Sequence, residues 1–242
     1  MDEASEGDVR AWDHAVVELG DAAADELLSA HARPEEAIAL RDAAWTATAK
    51  IDVERIEALA NETRADISGV ATRAWRPASE MAARLRHELG LTGPVDPDTL
   101  SALFGHRHDL FETSTLEQAA GWDDGTEIRM AVRKNNAPGA RFEVTRLVGD
   151  YLAFGDGRFR PVLDTNSWCQ QFQRSFGQAF LAPIELIRAR KPSGRDWTGR
   201  DIENAADYFH VSSWVIDDAL RNNGDIVQTG LIDREPGLFE AI

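Results

Sequence analysis

The stretch "RFEVTRLVGDYLAF", residues 141–154, decides how this chain is read. Val144, Leu147, Val148, Tyr151 and Leu152 recur at helical spacing, and Arg146 and Asp150 lie one turn apart on the polar side. A zinc-binding H-E-x-x-H helix has this frame, with two histidines one turn apart and a glutamate beside the first. The segment holds no histidine, and its one glutamate, Glu143, is off the motif. It is therefore either an ordinary amphipathic helix or the frame of an active-site helix without its chemistry.

Downstream, "WCQQFQRSFGQAFLAP", 168–183, places Trp168, Phe172, Phe176, Ala179 and Phe180 on one apolar stripe. Gln170 and Arg174 lie four apart on another face. The Gly/Pro-rich stretch 155–167 reads as a connection between these helices, residues 184–190 as a prolongation after Pro183, and 200–224 as a helix–turn–helix pair. Upstream, Pro77 starts and Gly90 stops a helix in "PASEMAARLRHELGL", and Asp96 or Asp98 caps a short one in "DPDTLSALFG". Ile128, Met130 and Val132 alternate with polar residues, which predicts a small sheet of about three strands between residues 106 and 134. Residues 11–31 and 35–48 predict helices, with Asp52 capping a third in "VERIEALANET". The fold class expected is α+β, mostly helical. A boundary near residue 74 separates an acidic helical region, 1–74, from a domain over 75–242.

The net charge of −16 argues against a nucleic-acid backbone as the direct partner, because binding one needs Lys and Arg to displace counterions. Residues 1–40 carry eleven acids against Arg10 and Arg33, a local net of −9. They read as a solvated helical lead-in or as an acidic surface that meets a basic partner. Cys169 is the single cysteine, so no internal disulfide forms and a reducing cytoplasm is the expected compartment. The acidic start has no apolar core of a signal peptide, and no run reaches the roughly 18 apolar residues of a membrane span.

Four motifs in order resemble the ImmA/IrrE family of metallopeptidases, whose members are often paired with helix-turn-helix repressors. They are "ARLRHELGL" (83–91), the frame around Arg141, Phe142, Val144, Gly149, Tyr151 and Leu152, "FGQAFLAP" (176–183), and "AADYFHVS" (205–212) with Asn222 beyond it. The resemblance covers roughly residues 75–232 and implies a zincin-like metallopeptidase fold with a small β-sheet. It also implies a zinc site, at positions where this chain departs completely. Arg146 and Asp150 stand at the two histidine positions, Leu147 at the general-base glutamate, Gln170 at the third ligand and Arg174 at the acidic or amide position after it. Leucine cannot move a proton, and one carboxylate does not make a zinc site. No catalytic residue, cofactor or metal is therefore expected. Asp150 is expected to pair with Arg146, Arg174 or both. The function implied is that of a pseudoenzyme binding a protein such as a repressor or toxin, in prophage, stress or defence control. The alternatives are an active metallopeptidase with substituted ligands and a DNA-binding regulator acting through the C-terminal hairpin.

Other candidates are weaker. His106 and His108 lie two apart without further ligands nearby, His14, His31 and His87 have no partner at metal spacing, and His210 belongs to a packing motif. Cys169 has no histidine beside it and reads as a buried residue. The hairpin's second helix carries Asp217 and Asp218 against Arg221, the wrong charge for entering an anionic groove.

Overall fold

Strands β1 (Ala49–Asp52), β2 (Ala119–Asp123), β3 (Glu127–Ala131) and β4 (Phe159–Val162) form one antiparallel sheet in the order β1-β3-β2-β4. The computed structural model describes residues 6–54, 56–58, 73–104, 118–134, 136–155 and 157–226. The hairpin at its centre follows from "DDGT". Gly125 takes a φ of 92°, and the Asp124 carboxylate accepts the backbone N–H groups of Thr126 and Glu127, both at 3.0 Å. Those bonds hold the Asp124 carboxyl down at about 2.

The chain is α+β and mostly helical. The sheet differs from expectation in where its strands come from. Two lie in the expected region, a third comes from the N-terminal region through β1, and a fourth from the stretch read as a plain connection. Ala49 pairs with Met130 and Trp122 with Phe159, so β1 and β4 form the edges.

Period-two alternation gives each strand two apolar faces. Ala119, Ile128, Met130 and Val162 face one core, and Ala120, Trp122, Ala131 and Phe159 the other. The second face is covered by α1 (Glu6–Leu19), α2 (Asp21–Ser29) and α3 (Pro34–Thr46), through Ala15, Leu19, Leu27, Leu40 and Ala44. The acidic N-terminal helices therefore pack on the sheet and do not reach away from it. The single helix expected over 11–31 divides at Gly20, whose φ of 86° no helix accommodates.

The first face is covered by α6 (Ala137–Phe154) and α7 (Trp168–Leu181). Helix α4 (Trp75–Glu88) packs along α7 and opens at Trp75, two residues before the expected start at Pro77. Helices α5 (Pro97–Phe104), α8 (Ile184–Arg188), α9 (Gly199–Phe209) and α10 (Ser213–Asn222) complete the described elements. The helix expected over 53–63 and the segment with His106 and His108 lie largely or wholly outside the described residues. Among the described residues no helix is long and apolar enough to cross a membrane.

Candidate functional site

Helix α6 begins where the Asn136 side chain accepts the Gly139 N–H at 2.8 Å, and ends at Gly155, with a φ of 61°. It is not an amphipathic surface helix. Sheet and α7 enclose it, so Arg141, Glu143, Arg146 and Asp150 are buried along with its apolar positions. Helix α7 begins at Ser167, whose hydroxyl caps the Gln170 N–H at 3.2 Å and donates to Glu26 at 2.6 Å, tying the helix start to α2.

The two helices cross at close range because glycines face aromatic rings. A Cβ on Gly149 would stand 2.4 Å from the Phe176 ring, and one on Gly177 3.0 Å from Phe142. Phe172, Phe176 and Phe180 are fully buried, as the stripe predicted, while Trp168 sits at the rim against Phe154 and Phe172.

The crossing brings most of the candidate positions together. Arg146 Nη2 donates to Gln170 Oε1 at 2.9 Å and also to the Leu163 carbonyl. Gln170 accepts the Leu163 N–H at 2.7 Å and donates to the Pro161 carbonyl at 3.1 Å. Arg146 is 2 % exposed, and burial lowers it to about 10, so it stays a cation at neutral pH. Leu147 points at β2, where its methyl carbons lie 2.7 Å from the place a Cβ on Gly121 would occupy. The space left between α6 and the sheet there is about 10 Å³, lined by Ala119, Met130, Glu143, Val144 and Leu147 among others. A water needs at least that much.

Asp150 does not pair with Arg146 or Arg174. Its Oδ2 accepts Arg160 Nη1 from β4 at 2.9 Å, and its Oδ1 accepts Gln173 Nε2 at 3.0 Å and Cys169 Sγ at 3.2 Å. Arg160 also donates to the Gly155 carbonyl at 3.0 Å and lies 4.8 Å over the Tyr151 ring. The physical reason is position: Arg146 is drawn one turn away to Gln170, whereas Arg160 shares the inward face of β4 with Val162. Arg174 lies at the margin, its nearest acceptor Asn166 at 3.5 Å.

Sequence reading missed Arg160 because 155–167 read as a connection. The signal is an arginine in register with an inward valine in "FRPV", which demands a buried counter-charge. Arg141, matched as a motif position without a stated role, is 1 % exposed and donates to the Val95 and His210 carbonyls, joining the α9–α10 turn to α6. Cys169 is half-buried, its thiol pushed up by burial and by Asp150. Asp217, read from the sequence only as a charge on the hairpin's second helix, is buried and accepts from Arg221 Nε at 2.5 Å.

The donor set at the matched positions does not fit zinc. One carboxylate is committed to an arginine, one amide is bonded to backbone and to Arg146, and the remaining positions are two cations and a hydrocarbon. Among the described residues no three His, Cys, Asp or Glu side chains gather as a metal site. No family model, curated protein or solved structure matches this chain.

Proposed function

We propose that this chain is a catalytically inactive ImmA/IrrE-like pseudo-metallopeptidase, zincin-like in fold, that acts by binding another protein. The role is regulatory, toward a repressor, a toxin or another regulator in prophage, stress or defence control. One observation carries the reading: the residues at the matched ligand and base positions lie at one helix crossing and are spent on each other and on the sheet. Arg146 is bonded to Gln170, Asp150 to Arg160, and Leu147 is pressed against Gly121. None of these side chains is free to polarise a water or move its proton. The order of the four motifs supports the family, and the acidic N-terminal surface supports a protein partner over a nucleic acid. The pairing of Asp217 with Arg221, the one base on α10, supports a structural role for the hairpin.

Metal analysis tests the inactive-enzyme half. The protein purified without added metal is expected to hold far less than one zinc per molecule. A variant carrying Arg146→His, Leu147→Glu, Asp150→His, Gln170→Glu and Arg160→Met is expected to bind one; the last change avoids stranding the arginine. Stoichiometric zinc in the natural protein, with a peptidase activity lost on chelation, would return it to the active enzymes. Co-purification of a stoichiometric protein from the native cell tests the binding half, and a salt-sensitive shift of DNA instead would favour the regulator reading.

A further inference from the structure

Beside the helix crossing, one exposed carboxylate draws four cations. Asp164, on the β4–α7 connection, has a side chain 42 % exposed. Arg133 Nη1 reaches it at 2.9 Å and Arg146 Nη1 at 3.5 Å. Lys134 and Arg174 feel the same carboxylate electrostatically, and together the cations hold Asp164 below the usual carboxylate range against its burial. Two of the four are fixed from behind. Glu143, 3 % exposed, accepts the Arg133 N–H at 3.0 Å and its Nε at 3.2 Å, and Gln170 holds Arg146.

Among the described residues buried Arg146 Nε has no hydrogen-bond partner, and Arg174 reaches only Asn166, at 3.5 Å. Among the described residues no carboxylate is ion-paired with Lys134, which burial lowers to about 8. Glu26 and Asp218 lie within electrostatic reach of Arg174 and leave Lys134 and the arginines around Asp164 as the attractive side. The occupant already present is a carboxylate, held unequally by two rigid guanidiniums that are built to take one bidentately. In a protein of net charge −16 such a group of buried and half-buried cations is a local exception to the general charge.

We propose that Arg133, Lys134, Arg146 and Arg174 receive a carboxylate of a partner polypeptide, either an acidic side group or the polypeptide's own C-terminus, and that Asp164 holds its place in the free protein. This rests on the protein-binding reading and places the contact beside the lost metal site. Binding is then a competition: the incoming group displaces Asp164, whose exposed loop position lets it swing out.

The test uses fluorescein-labelled heptapeptides and the full-length protein. A Glu-rich peptide with a free or amidated C-terminus, its Gln counterpart and a Lys-rich control separate side-group from terminal carboxylates. Asp164→Asn is expected to bind the acidic peptide at least tenfold tighter than the natural protein, a gain of about 1.4 kcal/mol. Adding Arg174→Ala or Lys134→Ala is expected to remove most of that gain, while the Gln and Lys-rich peptides with amidated C-termini, which carry no carboxylate, stay unbound. Equal affinity of natural and Asp164→Asn proteins, indifference to Arg174→Ala and Lys134→Ala, or equal displacement by millimolar phosphate and acetate would overturn the proposal. Should Asp164→Asn fail to fold, the natural protein decides: acidic-peptide binding weakened severalfold by Arg174→Ala supports the receptor, and its absence overturns it. The peptides are read on the isolated protein, so their failure leaves the zinc and co-purification tests untouched.

Discussion

Asp150 shows how a residue can be placed correctly by sequence and its partner not. Its place on α6, one turn from Arg146, follows from helical spacing, but its ion pair comes from β4, a strand announced by four residues, one of them proline. With both partners nearly enclosed, removing one leaves a charge without compensation. Asp150→Ala is therefore expected to destabilise the protein by about 3–5 kcal/mol, read from urea unfolding. Replacing the pair together, Asp150→Leu with Arg160→Met, is expected to recover most of the loss, because hydrocarbon of similar volume carries no desolvation penalty. A double variant as unstable as Asp150→Ala would show that Gln173 and Cys169, which share the carboxylate, carry the effect instead.

At the scale of elements, the α6–α7 contact was the most legible part of the protein. Aromatic spacing on α7 located the buried face, and Phe172, Phe176 and Phe180 are all in the core. Phe176→Ala is expected to cost about 3–5 kcal/mol. Gly149→Ala tests the closeness of the crossing. Alanine gains up to about 1 kcal/mol of helix propensity there, yet its methyl meets a fully buried ring at 2.4 Å. A net loss of about 1–3 kcal/mol is expected from overpacking, relieved in part by Phe176→Leu. Helical periodicity could not show that the polar stripe of α6 is buried as well, since a face bearing Arg146 and Asp150 looks solvated until its partners on β4 and α7 are known. Strand assignment failed for a related reason: four-residue edge strands carry too few alternations to stand out, and β1 acquires its identity from pairing with β3.

Across the whole molecule the acidic N-terminal helices are a structural layer as well as a charged surface. They cover Trp122, Phe159 and Leu163 on the second face of the sheet, so their contribution cannot be isolated by deletion. Removing residues 1–46 is expected to abolish cooperative unfolding and to produce strong binding of an apolar dye, measured against the intact protein; a truncated protein that unfolds sharply would show that the other core suffices. The order β1-β3-β2-β4 has a further consequence for how the protein is made. A ribosome delivers α1–α3 and β1 long before β3, to which β1 must pair, and β4 closes the far edge later still. The first helices therefore wait with their apolar sides unsheltered, and the −9 charge of residues 1–40 keeps neighbouring nascent polypeptides apart through mutual repulsion. Completion of the sheet is a late, long-range event in synthesis, and a translational pause before β4 would lengthen the interval in which the polypeptide depends on that repulsion.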